Sequence, residues 1–225
     1  FRRFNTTYLI QKIPQRNLLS LNLQKMGVNR ERPRHGLMAG LKRLVIKVGS
    51  GVLAVPGKGL DLSLIEGLVQ QIAHIHSTGL DILLVSSGAI ASGVVRLNLK
   101  ETPKSIPQKQ AAAAVGQSQL IWVYEKFFSQ REQKVAQILL THEDLASRSR
   151  YLNARNTLFT LLRYDVVPVI NENDTVAVEE IKLGDNDTLS ALVATMVEAD
   201  LLIILSDIDG LFDRDPRENF QIRLL

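Results

Sequence analysis

The sequence predicts an α/β protein, a three-layer α/β/α sandwich around a mostly parallel central sheet. Three observations predict it. Near-continuous apolar runs alternate along the chain with segments of helical periodicity, the pattern of strands buried on both faces. Each run ends in small or polar residues, and in open sheets of this kind ligands sit beyond the carboxyl ends of the strands. A length of 225 residues suffices for one large domain with a sizeable core.

The elements follow in order. "KRLVIKV" at 42–48 reads as a buried strand entering a glycine turn. After the turn "VPGKGLD", apolar residues at helical spacing predict a helix over Leu62–His76. "DILLV" is a second strand, followed by the small-residue loop "SSGAIASG" and a short helix. Pro107 opens a long helix, "PQKQAAAAVGQSQLIWVYEKFFSQ", in which Gly116 is a local weak point. "KVAQILL" gives a third strand, "SRYLNARNTLFTLLRYD" a helix and "DVVPVI" a fourth strand. The next stretch, "NENDTVAVEEIKLGDND" at 171–187, holds two amide-carboxylate clusters joined by an alternating segment that suggests a small covering hairpin. "TLSALVATMVEA" is a helix and "DLLIILS" a fifth strand running into "DIDGLFDRDPREN".

Composition removes several chemistries. There are no cysteines, so disulfides, thiolate metal sites and cysteine nucleophiles are excluded. His35, His74, His76 and His142 lack metal-ligand spacing. The net charge of +4 is unevenly placed: residues 1–36 hold eight of the 27 bases and one of the 23 acids. The remainder has 19 bases and 22 acids, a formal −3, so the folded part offers no basic face and no nucleic-acid partner is expected. Residues 1–36 read as a basic, disordered N-terminal extension ahead of a domain over 37–225. No apolar run approaches the roughly 20 residues of a spanning helix, which predicts a cytoplasmic protein with no membrane partner. Three Asn-x-Thr triplets, at Asn5, Asn173 and Asn186, are read as chance matches to the glycosylation pattern.

The strand ends carry "GSG", "SSG", "THED", "NEND" and "SDIDG", an edge rich in hydrogen-bonding groups where a phosphate-bearing ligand fits. Gly49-Ser50-Gly51 with Ala54 literally satisfies G-x-G-x-x-A. A dinucleotide site is nevertheless disfavoured. Pro56, Gly57 and Gly59 delay the helix to about Asp61, and positions 85–87 are Val-Ser-Ser where an acid for the ribose is needed. A Walker A loop is absent. What remains is Lys47 at a strand end beside a glycine turn: either a lysine snorkelling to the surface, or a cation held against a transferring phosphoryl group.

With these residues in view, the chain closely resembles the glutamate 5-kinases of the amino-acid kinase family. The resemblance runs from about Lys42 onward through "IKVGSGVL", "VSSGAIASG", "KQAAAAVGQSQL", "YLNARNTL", "VVPVINENDTVAVEEIKLGDNDTLSALVA" and "LIILSDIDGLFDRDP". It implies transfer of the ATP γ-phosphoryl group to the side-chain carboxylate of L-glutamate, the first step of proline biosynthesis. By the same resemblance, Lys47 contacts the ATP phosphates, with Gly49, Ser50 and Gly51 donating backbone N–H groups. Ser87 and Gly88 meet the acceptor, Asp174 and Asn186 hold the amino acid, and Asp187 organises the catalytic lysines. Ser206 and Asp207 are implied nucleotide contacts. Magnesium arrives with ATP and no residue is assigned as its ligand. Turn and cap roles stay open beside these; Asp187 also suits the start of the helix that follows.

The resemblance further implies feedback inhibition by proline and a homo-oligomer. The family has a glycine-rich segment with a second phosphate-contacting lysine further toward the C-terminus, so a sheet lacking its final strands, and little activity of residues 1–225 alone, are expected. Two alternatives remain. One is another amino-acid kinase, acting on N-acetylglutamate, aspartate, carbamate or a nucleoside monophosphate, although Asp174 argues for a free α-ammonium. The other is a non-catalytic nucleotide or amino-acid binding fragment.

Overall fold

The structure is a computed structural model, and it describes residues 7–12, 40–55, 57–177 and 186–207. Among the described residues six strands form one sheet in the order β1-β8-β2-β5-β7-β6, every neighbouring pair parallel. They are β1 (Thr7–Lys12), β2 (Arg43–Val48), β5 (Asp81–Ser86), β6 (Lys134–Leu140), β7 (Val166–Glu172) and β8 (Leu201–Ser206). A two-stranded hairpin, β3 (Ala54–Val55) with β4 (Gly59–Leu60), stands apart from it. The helices are α1 (Ser50–Leu53), α2 (Leu62–His76), α3 (Ala89–Arg96), α4 (Ile106–Ser129), α5 (His142–Ala146), α6 (Arg148–Arg163) and α7 (Asn186–Met196). No helix among the described residues is long and apolar enough to cross a membrane.

Strand alternation assigns each residue to one of two cores. Leu44, Ile46 and Val48 of β2, Ile82 and Leu84 of β5, and Val167 and Val169 of β7 pack under α2 and α4 with Leu68, Ile72, Leu120 and Phe128. Val45, Leu83, Val85, Ile170 and Leu202 face the other way, toward Leu158 of α6 and Leu189 and Val193 of α7. Each fully buried aliphatic side chain stabilises the fold by about 1.5–3 kcal/mol relative to exposure. The same parity sends Lys47 and Ser87 to the α7 side, and Ser86 and Asn171 to the α4 side. That division builds the site.

The two ends of the sheet differ in chemistry. At the amino ends, the Asp200 carboxylate accepts from the backbone N–H groups of Lys42 and Arg43, and the Arg43 guanidinium pairs with Asp81 at 2.8 Å. These groups satisfy one another and leave that end closed. At the carboxyl ends lie the small and polar residues anticipated above.

Several expectations change. Thr7–Lys12 is a correction to the disordered extension: its backbone pairs in register with Leu201–Ser206. The physical reason is the free edge of β8, whose N–H and C=O groups a short extended segment satisfies. The glycines after β2 open a single helical turn, α1, that periodicity does not predict, and α2 then starts at Leu62 with the Asp61 side chain accepting from the Leu64 N–H. A short helix, α5, is likewise added after β6. The covering hairpin lies largely outside the described residues, as do residues 1–6 and 13–36 and everything after Asp207.

Gly116, expected only to weaken its helix, instead has a packing role. A Cβ on Gly116 would run into the Ala89 carbonyl, and one on Gly93 into the Ala112 carbonyl. Helices α3 and α4 therefore meet backbone to backbone. Two glycines permit that approach, and no larger residue does.

Candidate active site

Lys47 lies in the last turn of alternation before β2 ends, on the face toward α7. Its side chain is 9% exposed, and its ammonium stands 2.5 Å from Asp187 Oδ1 in the first turn of α7. A buried lysine needs such a partner, because an unpaired ammonium in the interior is costly. The ammonium also hangs over the glycine turn, 3.4 Å from where a Cβ on Gly49 would be. The Gly49 N–H donates to the Leu205 carbonyl at 3.2 Å, tying the turn to the end of β8. Beyond it, the Asp207 carboxylate comes within 2.9 Å of a Cβ position on Gly51. Lys47, Gly49, Ser50, Gly51, Ser206 and Asp207 thus gather where β2 and β8 end.

The second group forms beside it. Ser87, Gly88, Asp174 and Asn186 share a cavity of about 260 Å³, with Ser50 and Glu172 also on its wall. Gly88 is the N-cap of α3 and has φ 100°, a left-handed conformation that suits glycine. Ala89, Ile90 and Ala91 line the same cavity, and the first intrahelical bond of α3 is Ser92 N–H to the Gly88 carbonyl. The N–H groups ahead of that bond, with the positive end of the helix dipole, favour an anionic group in the cavity. Glu172 and Asp174 also line the cavity, and carboxylates there favour a cation. No basic residue is among the described lining residues. Donors and acids lining one cavity are the pattern a zwitterion fits.

The Asn186 amide nitrogen donates to Ser87 Oγ at 2.7 Å, to the Ser86 carbonyl at 3.0 Å and to Asn171 Oδ1 at 3.0 Å. With its nitrogen committed to protein acceptors, its oxygen is the atom left to accept from a ligand. Ser87 Oγ, receiving that bond, keeps its own hydrogen for donation toward the cavity. A larger cavity of about 350 Å³ adjoins this one across Glu172, lined by Thr141, Asp144, Arg150 and Asn173 among others.

Sequence reasoning missed the residues under this surface. Asn171 is 3% exposed and donates from Nδ2 to Gln117 Oε1 at 2.8 Å. Ser86 is fully buried and its hydroxyl lies 2.9 Å from the Tyr124 hydroxyl. Burial pushes the Tyr124 phenol well above its usual range, so it stays protonated. A signal was available: Ser86 and Asn171 continue the alternation of Leu84 and Val169, where an apolar residue belongs, and Gln117 interrupts the inner stripe of α4. Among the described residues no cluster of three His, Cys, Asp or Glu could hold a metal ion.

Residues 42–225 match the amino acid kinase family, and the chain belongs to that family. Among curated relatives it is similar to the glutamate 5-kinase of Caldanaerobacter subterraneus subsp. tengcongensis, 60% identical over 175 residues covering 78% of this chain and 47% of that protein. The glutamate 5-kinase of Carboxydothermus hydrogenoformans is 56% identical over 190 residues, covering 84% of this chain and 51% of that protein. The chain spans about half the length of these relatives. Among solved structures, isopentenyl phosphate kinase from T. acidophilum, in a product complex, superposes with a TM-score of 0.56 at 17% identity over 82% of this chain and 78% of that one. That likeness is one of fold.

Proposed function

We propose that this chain carries the acceptor site and much of the phosphate site of a kinase that transfers the ATP γ-phosphoryl group to the side-chain carboxylate of L-glutamate. The observation that carries the reading is the adjacency of two sites: the Ser87, Gly88, Asp174 and Asn186 cavity, and the Lys47–Asp187 pair beside the glycine turn.

The chemistry asks little of the protein besides alignment and charge. A glutamate side-chain oxygen, already ionised at neutral pH, attacks the γ-phosphorus. The new O–P bond forms as the bond to the β,γ-bridging oxygen breaks, and ADP leaves with that electron pair. No proton has to move. Lys47 would neutralise charge on the phosphoryl oxygens, and Asp187 would fix the lysine and keep it protonated. Magnesium carried on ATP would supply further neutralisation. Backbone N–H groups at Gly49–Gly51 would cradle the phosphates, with Ser206 and Asp207 at the nucleotide. At the acceptor, Ser87 Oγ and the first N–H groups of α3 would orient the carboxylate, while Asp174 and the Asn186 oxygen would take the α-ammonium. Glu172 adds to that preference for a free amine and disfavours an acetylated substrate.

Calorimetry tests the reading. L-glutamate and ATP-Mg should both bind, and N-acetylglutamate should not. Binding of nucleotide alone would instead point to a non-catalytic module, and preference for aspartate or N-acetylglutamate to another amino-acid kinase.

A further inference from the structure

We propose that α4 is the positioning rail of the acceptor site, and that Gln117 and Tyr124 act through Asn171 and Ser86 to set the residues that meet the substrate. The inference rests on the acceptor reading above for the identity of the substrate, but not for the rail itself.

The geometry is a heptad. Gln110, Gln117 and Tyr124 stand seven residues apart, two helical turns, and so fall along one stripe of α4. Each bonds to a different part of the site. Gln110 Nε2 donates to the Ala177 carbonyl at 3.3 Å, in the segment that follows Asp174. Gln117 Oε1 accepts from Asn171 Nδ2 at 2.8 Å, at the end of β7. The Tyr124 hydroxyl lies 2.9 Å from Ser86 Oγ, at the end of β5. Packing alone does not call for this, since the rest of the stripe is Ala113, Leu120 and Phe128, all buried.

The bonds have a direction. Ser86 Oγ donates to the Ser87 carbonyl at 3.1 Å, so the hydrogen between Tyr124 and Ser86 comes from the phenol. Tyr124 thereby fixes the peptide that carries Ser87. On the other branch, Gln117 Oε1 accepts one Asn171 amide hydrogen, while Asn171 Oδ1 accepts from the Glu172 N–H at 2.9 Å and from Asn186 Nδ2 at 3.0 Å. Asn186, whose nitrogen also donates to the Ser86 carbonyl and Ser87 Oγ, is thus held nitrogen-inward and oxygen-outward with support from a residue two hydrogen bonds away. Gln117 reinforces the orientation that the Glu172 N–H sets, because it is the acceptor for the Asn171 nitrogen, and a flip of Asn171 would set a donor against both that N–H and the Asn186 nitrogen.

The site's distance from solvent makes the rail stiff. Tyr124 and Ser86 are fully buried, and Gln117 is 9% exposed. The backbone contact of Gly116 with Ala89, immediately beside Gln117, clamps the rail to α3 at the helix end that faces the acceptor.

The test pairs ligand-free spectroscopy with binding. In ¹⁵N spectra of the whole chain, the side-chain amides of Asn171 and Asn186 should be dispersed and slow to exchange. Gln117→Met, which keeps length and loses the acceptor, should abolish that protection and weaken L-glutamate binding about tenfold, the loss expected when one buried neutral donor is left unpaired. ATP-Mg affinity should stay within about twofold by the same reasoning. Gln117→Glu, which restores an acceptor oxygen, should recover most of the glutamate affinity. Unchanged Asn171 and Asn186 signals in Gln117→Met, or equal loss of both ligands, would overturn the rail. Protected amides in the wild type that fail to respond to L-glutamate would leave the rail standing and remove the proposed substrate.

Discussion

Lys47 and Asp187 meet at 2.5 Å although one ends the second strand and the other opens the last described helix. The pair joins the most buried cation among the described side chains of the sheet to the segment that also brings Asn186 to the neighbouring cavity. One helix start therefore serves both halves of the site.

Replacing Asp187 by Asn removes the charge that holds Lys47. In full-length protein, ADP release should fall by about 10²–10³, the scale seen when one preorganised electrostatic group is lost, with both KM values little changed. Stability should drop by about 1–3 kcal/mol in urea titrations, because Lys47 stays buried while Asp187 is only partly so.

Asp174→Ala separates the two ligands. Loss of a charge-assisted bond to an ammonium costs about 1.5–3 kcal/mol, or roughly ten- to 150-fold. L-glutamate binding should weaken by that much in calorimetry, while ATP-Mg binding should shift by less than about threefold.

Gly116→Ala tests the helix contact. The added methyl meets the Ala89 carbonyl, and backbone cannot move aside as a side-chain tip can. The variant should lose about 1–3 kcal/mol or more by urea unfolding. An unchanged midpoint would mean that α3 and α4 slide freely.

Tyr124 gives the fold an alkaline limit. Its phenol ionises near 10 in the unfolded chain and well above that when folded, because burial disfavours the phenolate. The unfolded state thus holds fewer protons above pH 10. Stability from this group is complete below that pH and falls by about 1.4 kcal/mol per unit above it. Tyr124→Phe should lack this component, so the difference between wild-type and variant melting temperatures should narrow as pH rises from 9 to 11.

The layered fold was legible because its signal is local. "RLVIKV" and "DILLVS" announce buried strands through composition alone, and the Leu62–His76 helix through spacing. The residues proposed to meet a ligand were chosen through resemblance and through their place at strand ends. Ser87 and Asn186 touch through one hydrogen bond that no spacing rule foretells. Gln117 and Tyr124 were missed for a different reason: the break Gln117 makes in the inner stripe of α4 is visible in the sequence, but the partners that give it meaning lie on other strands. Thr7–Lys12 was missed because its short run of strand formers, "TYLI", becomes a strand only by pairing with the edge of β8, a partner far along the chain.

The pairing of β2 has a last consequence. Lys47 sits opposite Val85 on one side and Ile204 on the other. Alternation has a period of two, so a slip of one residue would turn Lys47 into the α2–α4 core and offer Asp187 an aliphatic side chain instead. A single-residue insertion early in β2 would leave composition, hydropathy and every motif intact and still invert the strand. The proposed phosphate end of this protein is in that sense a parity bit: its chemistry is stored in whether a count of residues is odd or even.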